Sequence, residues 1–357
     1  MYFTRITDQI TPIFWGDKGY EYLSDLIEKK SYSMIFILVD SNTNEHCLWP
    51  FMSQFKTELQ IEIIELDPGE SEKNIETCHE LWHVLMDHGG DRKSAILNLG
   101  GGVITDMGGF VASLFKRGID FIHVPTTLLG MVDASHGGKT AVDLGTYKNQ
   151  VGLFSWPEAI LIDTTFLETL PAREMRCGLA EMFKHGLVQS KSHWDSLKDT
   201  TEKDWSHLEE LIQDSVAIKN TIVELDPWEQ NERKWLNFGH TVGHAIESLF
   251  LEKTPDNPIL HGEAVAAGML IESYLSMELS TLSRAQYFEI DYIIKRFFEP
   301  LPISKSDLPK LLGSILTDKK NTAGQIGCTL LLDIGQATFK NDISIEQFES
   351  AICHYIN

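Results

Sequence analysis

His240 and His244, in the run Gly239-His240-Thr241-Val242-Gly243-His244, are four residues apart and so stand one above the other on a helix face. His261 follows in His261-Gly262-Glu263, and Glu181 lies in Leu179-Ala180-Glu181-Met182-Phe183-Lys184-His185. A catalytic zinc ion takes three His or carboxylate ligands and keeps one position for water or substrate. One carboxylate with two of these histidines would make such a site. A second kind of chemistry is offered by Leu99-Gly100-Gly101-Gly102-Val103-Ile104-Thr105-Asp106-Met107-Gly108-Gly109-Phe110. A bare backbone that ends a strand and opens a helix presents N–H groups at the positive helix end, which suits a pyrophosphate. The run is not the G-x-G-x-x-G dinucleotide fingerprint, but strand ends at Asp40 and at Pro125-Thr126-Thr127 would converge on the same carboxyl edge of a sheet. Cations also recur beside glycines and small polar residues, at Lys116-Arg117-Gly118, Gly137-Gly138-Lys139-Thr140, Lys148-Asn149, Lys184, Lys219-Asn220, Arg233 and Lys319-Lys320. Placed at turns and strand ends, they suit a phosphorylated or carboxylated substrate.

The elements that must carry these residues fall into two sets. Compact apolar runs at Met34 to Val39, Ile61 to Glu65, Ala95 to Leu99, Phe121 to Val124 and Ala159 to Ile162 predict buried strands. An amphipathic helix is predicted between Glu70 and His88, and the alternation is that of a parallel sheet built from βαβ units. After about Thr165 the pattern turns helical, over Arg173 to Gln189, Trp205 to Glu224, Glu232 to Phe250, Glu263 to Leu279 and Arg284 to Phe298. Only Thr329 to Asp333 reads as a late strand. The expectation is therefore an α/β N-terminal nucleotide-binding domain with a parallel sheet over 1–170, and a mainly α-helical C-terminal domain over 171–357.

Composition narrows the function. The 357 residues are 43% hydrophobic and 23% charged, a globular composition. With 30 Lys+Arg against 52 Asp+Glu the formal charge is −22, so nucleic-acid phosphates and an anionic membrane face would be repelled. An anionic substrate must be met by a local basic pocket. Cys47, Cys78, Cys177, Cys328 and Cys353 are scattered and form no C-x-x-C pair, which argues against a disulfide framework or a thiolate metal site. No apolar stretch approaches the ~18–20 residues that span a bilayer, and Met1 to Arg5 lead into no apolar export segment. A soluble, cytoplasmic protein is expected.

Taken in order, the motifs make the sequence resemble the 3-dehydroquinate synthase family of sugar-phosphate cyclases. The resemblance rests on the glycine run at 100–110, Arg117-Gly118, Val-Pro-Thr-Thr-Leu-Leu at 124–129, Val-Asp-Ala-Ser-His-Gly-Gly-Lys-Thr at 132–140 and Lys-Asn-Gln-Val-Gly at 148–152. It continues through Gly-Leu-Ala-Glu-Met-Phe-Lys-His-Gly at 178–186, Leu-Asn-Phe-Gly-His-Thr-Val-Gly-His-Ala-Ile-Glu at 236–247, His-Gly-Glu-Ala-Val at 261–265 and Asp318-Lys319-Lys320. It implies a Rossmann-like NAD-binding domain followed by a metal- and substrate-binding domain. Zinc, with cobalt as the alternative, would be held by Glu181, His240 and His261, leaving His244 for catalysis or substrate contact. NAD would lie on Asp40, Glu70, Lys73, Gly101, Gly102, Val103, Asp106, Thr126 and Thr127, with Lys148 and the segment from Phe166 to Thr169 closing over it. Asp133, Lys139, Asn149, Lys184, Lys219, Arg233, Asn237 and Lys319 or Lys320 would contact the substrate. Arg117 would reach its phosphate, across the interface of a homodimer. The implied reaction oxidises C5 of 3-deoxy-D-arabino-heptulosonate 7-phosphate, eliminates phosphate, reduces C5 again and closes a carbocycle by an aldol step. The rival readings are a cyclase for another sugar phosphate, a metal-dependent polyol dehydrogenase and a silent NAD- or zinc-binding protein. The chain departs from the family at Val142-Asp143, where Val-Asn is usual, at Tyr147-Lys148-Asn149, where Gly-Lys-Asn is usual, and at His136, where a small apolar residue is usual.

Overall fold

Short apolar runs with no polar alternation suit strands buried on both faces, the condition of a parallel sheet. In the computed structural model, described for residues 2–6, 9–145, 147–200, 207–254, 257–316 and 326–357, four of the five predicted runs form the centre of such a sheet, while Ile61–Leu66, also expected to be buried, is its edge strand and leaves Ile63 exposed, its glutamates set among apolar residues as on a half-solvated strand. Its strands are β1 (Tyr2–Ile6), β2 (Gln9–Trp15), β3 (Ile35–Asp40), β4 (Ile61–Leu66), β5 (Ala95–Gly100) and β6 (Asp120–Pro125), while β7 (Lys139–Leu144) and β8 (Tyr147–Phe154) pair separately and β9 (Ala159–Ile162) rejoins the sheet. The order is β1-β2-β9-β6-β5-β3-β4. All neighbours are parallel except β1, which lies antiparallel on β2. Ile37 stands opposite Ile63 on one side and Leu97 on the other, so the apolar residues are in register across the sheet.

Phe36 and Leu38 of β3 and Ile96 of β5 share a core with Cys78, Leu81 and Leu85 of one helix (Ile75–Asp87) and Met107, Phe110 and Val111 of another (Gly102–Leu114). The second helix lies unusually close to its strand. A Cβ on Gly108 would fall 1.8 Å from Oδ1 of the buried Asn98, so only glycine admits this approach. The close fit brings the helix N-terminus to the carboxyl end of β5.

The two compact units of the chain are Met1–Pro171, which holds this sheet, and Ala172–Asn357. The second is helical: α1 (Ala172–Gln189), α2 (Lys191–Lys198), α3 (Leu208–Leu225), α4 (His240–Lys253), α5 (His261–Leu279), α6 (Arg284–Lys295), α7 (Leu308–Leu316) and α8 (Ile345–Ile356), with a hairpin of β10 (Ile326–Asp333) and β11 (Gln336–Ile343). Val242, Ile246 and Phe250 of α4, Ala264, Ala267 and Ile271 of α5, Leu330 of β10 and Phe348 of α8 share its core. Among the described residues, no helix is long and apolar enough to cross a membrane.

A predicted helix is also corrected. The periodicity from Glu232 to Phe250 suggests a single helix, but the structure has a 3-10 turn at Glu232–Asn237 and a new helix from His240. Gly239 breaks the run in the left-handed region at φ +80°. The carboxylate of Glu272, fully buried on α5, accepts from the N–H of Gly239 at 2.7 Å and of Val242 at 3.0 Å, capping α4 from outside its own sequence. Here α4 and α5 cross at glycines, since a Cβ on Gly268 would sit 1.9 Å from the Gly239 carbonyl oxygen. This crossing sets the spacing of the two helix starts, each of which is a histidine.

Candidate active site

Because the central strands are parallel, their carboxyl ends lie along one edge of the first unit, and the sequence-predicted nucleotide residues collect there. Asp40 ends β3, Glu70 and Lys73 follow β4, and Gly101 to Val103 follow β5. Thr126 and Thr127 follow β6, and Phe166 and Thr169 lie in the turn Thr164–Thr169 after β9. Gly101 is the N-cap of the Gly102–Leu114 helix and offers no capping side chain, so the first amides of that helix remain donors for an anion. Asp106, one turn into the helix, pairs with Lys73 at 2.6 Å. Burial opposes the charge on Lys73, but the Asp106 and Glu70 carboxylates outweigh it and hold its pKa above the ordinary lysine value. Lys148 pairs with Glu70 at 2.8 Å. Asp40 is turned back on its own chain, accepting from the Thr43 N–H at 2.8 Å. Asp133 is half-buried in the turn Gly130–Ala134, and Lys139 starts β7 with its side chain exposed.

Arg117 is placed elsewhere. It sits past the C-terminal end of the same helix whose N-terminus meets the nucleotide edge, in a turn where Lys116, Arg117 and Gly118 all have positive φ. A thirteen-residue helix is about 20 Å long, so Arg117 does not join the other candidate residues of its own unit.

In the second unit Glu181, His240 and His261 come together, with ligand atoms all within 4.8 Å of one another. Glu181 Oε1 lies 3.6 Å from His240 Nε2 and 3.8 Å from His261 Nε2. Tetrahedral bonding to zinc places ligand atoms about 3.3 Å apart, so a small contraction would satisfy an ion. The surroundings fit this use. Glu181 Oε1 is fully buried and accepts no hydrogen bond among the described residues, a costly arrangement unless something else meets its charge. Each imidazole is anchored through its other nitrogen: His240 Nδ1 donates to the Phe238 carbonyl at 3.1 Å, and His261 Nδ1 to Glu247 Oε2 at 3.2 Å. Both Nε2 atoms are thereby turned toward Glu181, as happens when a metal-binding imidazole is held through its other nitrogen. His244 lies beside them, its ring 5.4 Å from that of His240 and 6.0 Å from that of His261.

Motif reading passes over Glu247 and Glu272, which hold the His261 ring and the start of α4. Both look like solvent-facing acids on helices, and only Glu272 carries a signal, an acid inside the unbroken apolar stretch of α5. Glu247→Gln is expected to keep the fold and weaken divalent-ion binding by about 10–100-fold, measured by metal titration into chelated protein. Arg173 grips Glu263 through two 2.7 Å bonds, and Glu263 accepts from the Leu260 N–H at 2.8 Å, fixing the start of α5 where His261 stands.

Among the described residues of this acidic chain's second unit three cations are buried: Lys184, Lys219 and Arg233, at 1%, 5% and 2% exposure. Lys184 lies one turn from Glu181 on α1 and pairs with it. Lys219 comes from α3, which packs on α1, and Arg233 from the Glu232–Asn237 turn, which packs on both. The chain leading to this turn is folded around Asp226, whose carboxylate accepts from the N–H of Gln230, Asn231 and Arg233. Burial opposes the ionised form, but these three amides outweigh it and hold the Asp226 carboxyl below the usual range. Asn237 Nδ2 donates to Glu229 Oε1 at 2.6 Å. Lys319 and Lys320 lie outside the described residues.

Residues 63–177 match the family described as 3-dehydroquinate synthase N-terminal, and residues 178–321 the one described as 3-dehydroquinate synthase C-terminal. A 3-dehydroquinate synthase from Parabacteroides distasonis is 40% identical over 335 residues, spanning 93% of this chain and 94% of its own. Among solved structures, a 2-epi-5-epi-valiolone synthase from Streptomyces hygroscopicus with NAD+ and Zn2+ bound matches with a TM-score of 0.86 at 25% identity, over 99% of both chains. A 2-deoxy-scyllo-inosose synthase complexed with carbaglucose-6-phosphate, NAD+ and Co2+ matches with 0.85 at 24%, again over 99% of both. The sequence match runs from the glycine run through the Glu181, His240 and His261 cluster, and the chain belongs to the 3-dehydroquinate synthase family of enzymes.

Proposed function

We propose that the chain converts 3-deoxy-D-arabino-heptulosonate 7-phosphate to 3-dehydroquinate and inorganic phosphate, the step that forms the carbocycle in aromatic amino acid biosynthesis. The observation that carries this reading is Lys184, a buried cation one turn from Glu181, accompanied by the buried Lys219 and Arg233. A dehydrogenase of simple alcohols has no use for buried cations beside its metal, whereas a phosphorylated sugar acid needs them.

NAD would be held in the first unit by Asp40, Glu70, Lys73, Gly101, Gly102, Val103, Asp106, Thr126, Thr127, Lys148, Phe166 and Thr169, and zinc or cobalt in the second by Glu181, His240 and His261. When bound, NAD supplies the acceptor and later the donor of a hydride at C5, and the ion polarises the C5 hydroxyl. The chain's own residues do the rest. The uncapped amides at the start of the Gly102–Leu114 helix hold the pyrophosphate. Lys184, Lys219, Arg233 and Asn237 bind the carboxylate and ring hydroxyls, keeping one substrate oriented through successive steps. Asp133 and His244 contact the sugar. Lys139, Asn149 and Arg117 meet the phosphate, with Lys319 or Lys320 completing the basic set, and charge neutralisation there favours its departure. The leaving phosphate can itself take the proton from the neighbouring carbon, so no strong protein base is required. Because Arg117 is remote from the nucleotide edge of its own unit, it would serve a second copy in a homodimer. The compartment would be the cytoplasm.

The two synthases with similar folds are named for other products, 2-deoxy-scyllo-inosose and 2-epi-5-epi-valiolone, which keeps a second cyclase substrate in play. By the family resemblance, in which relatives with other substrates vary at these positions, Asn237, His244 and Lys319-Lys320 favour the heptulosonate. Incubation with 3-deoxy-D-arabino-heptulosonate 7-phosphate, NAD+ and Zn2+ is expected to release one phosphate per dehydroquinate formed. Phosphate release from another heptulose phosphate, and none from this one, would transfer the protein to the second reading.

A further inference from the structure

Asp143 stands at the bulge of the β7 and β8 hairpin, where pairing shifts from Val142↔Val151 to Leu144↔Tyr147. The departure from the family's usual asparagine puts a carboxylate there, and its contacts are not those of a surface acid. Oδ1 accepts from the Asn149 N–H at 2.7 Å, and Oδ2 pairs with Lys148 at 3.2 Å. The Asp143 N–H in turn donates to the Lys73 carbonyl oxygen at 2.8 Å. One half-buried residue therefore holds Lys73, Lys148 and Asn149, three residues assigned above to nucleotide or phosphate. The consequence for Asn149 is conformational. Its backbone is in the left-handed region at φ +52°, which asparagine tolerates better than other side chains and which the bond from its N–H to Asp143 helps to hold. In this posture its side-chain Oδ1 accepts from Lys73 Nζ at 2.7 Å, the ammonium that also meets Asp106 at 2.6 Å on the nucleotide helix.

We infer that Asp143 is a positioning residue for the nucleotide and phosphate contacts, acting through the Asn149 amide and the Lys148 ammonium without touching either ligand. The hydrogen bond to Asn149 N–H is the larger part of this role, because Lys148 retains Glu70 at 2.8 Å when Asp143 is removed. Asparagine can supply the same acceptor oxygen. Alanine cannot.

The inference rests on the proposed roles of Lys148 and Asn149, and the experiment separates the two claims. NAD+ binding by calorimetry, the KM and kcat for the heptulosonate phosphate, and thermal unfolding would be measured for Asp143→Ala, Asp143→Asn, Lys148→Ala and Asn149→Ala. Asp143→Ala is expected to weaken NAD+ binding and raise KM by about tenfold, the effect of losing one well-formed hydrogen bond at a site that must be pre-ordered. Its kcat should fall less than its KM rises. Asp143→Asn is expected to recover both to within about threefold of the parent. Equal losses in the two Asp143 variants would overturn the inference, since the charge and not the acceptor would then matter. So would a loss that only tracks a lowered melting temperature. If Asp143→Ala is neutral while Lys148→Ala and Asn149→Ala are impaired, the inference alone fails; if the latter two are neutral, the proposed roles of those residues fail.

Discussion

With His240 replaced by alanine, the protein is expected to purify without its divalent ion and to turn over at least ~10³-fold more slowly, as loss of a Lewis acid worth several kcal/mol at the transition state requires. Two ligands would remain, Glu181 and His261, and two do not define a tetrahedral site. The fold should survive. The start of α4 is held by Glu272, which accepts from the Gly239 and Val242 amides, and by the glycine crossing with α5, not by the His240 ring. The comparison belongs between chelated parent and variant, because a bound ion stabilises the parent by mass action. Melting temperatures that then agree within a few degrees, with metal content near zero in the variant, support the ligand assignment. One equivalent of ion and undiminished turnover in His240→Ala would remove His240 from it.

Lys184→Met is expected to move two readouts in opposite directions. The Lys184 ammonium pairs with the Glu181 carboxylate at almost no exposure, so it competes with any cation for that charge. Taking it away should raise the affinity for a divalent ion by about tenfold or more, by removing a nearby like charge. Turnover should nonetheless fall by at least ~10²-fold, because truncating a desolvated charge partner of the substrate carboxylate leaves that anion uncompensated. A merely structural lysine would not separate the two. If metal affinity falls together with turnover, Lys184 is supporting Glu181 and not the substrate.

The legible parts of this molecule are those whose burial is uniform. The centre of the sheet reads directly from Ile35 to Val39, Ala95 to Leu99 and Ala159 to Ile162, where every residue faces protein. Strands with a mixed environment are not legible in the same way. Gln9–Trp15 contains Thr11 and Pro12, Gln336–Ile343 carries Lys340, Asn341 and Asp342, and the hairpin from Lys139 to Phe154 is mostly exposed. Its Gly, Lys and Asn content reads as a loop, when it is a strand pair. The break at Gly239 is hidden because apolar spacing continues across it, and only the acid on α5 reveals the cap. For the site the division is similar. Histidine, glycine and lysine motifs announce themselves by type and spacing. Glu247, Glu272 and Asp143 do not, because an acid that orients another residue has no spacing rule and is told from a solvated one only by what it touches.

The central claim is that a nucleotide edge, a metal cluster and a set of buried cations serve one cyclisation and not a dehydrogenation. In a cyclisation the hydride taken from C5 returns to the same carbon after phosphate has left, so the nucleotide acts catalytically. The direct measurement supplies substrate in large excess over NAD+ and follows inorganic phosphate and NADH absorbance in the same sample. The account predicts phosphate release equal to substrate consumed, many turnovers per NAD+ and no net NADH, with glycerol giving neither signal. Steady accumulation of NADH matching substrate loss, without phosphate release, would contradict it and make the protein a polyol dehydrogenase.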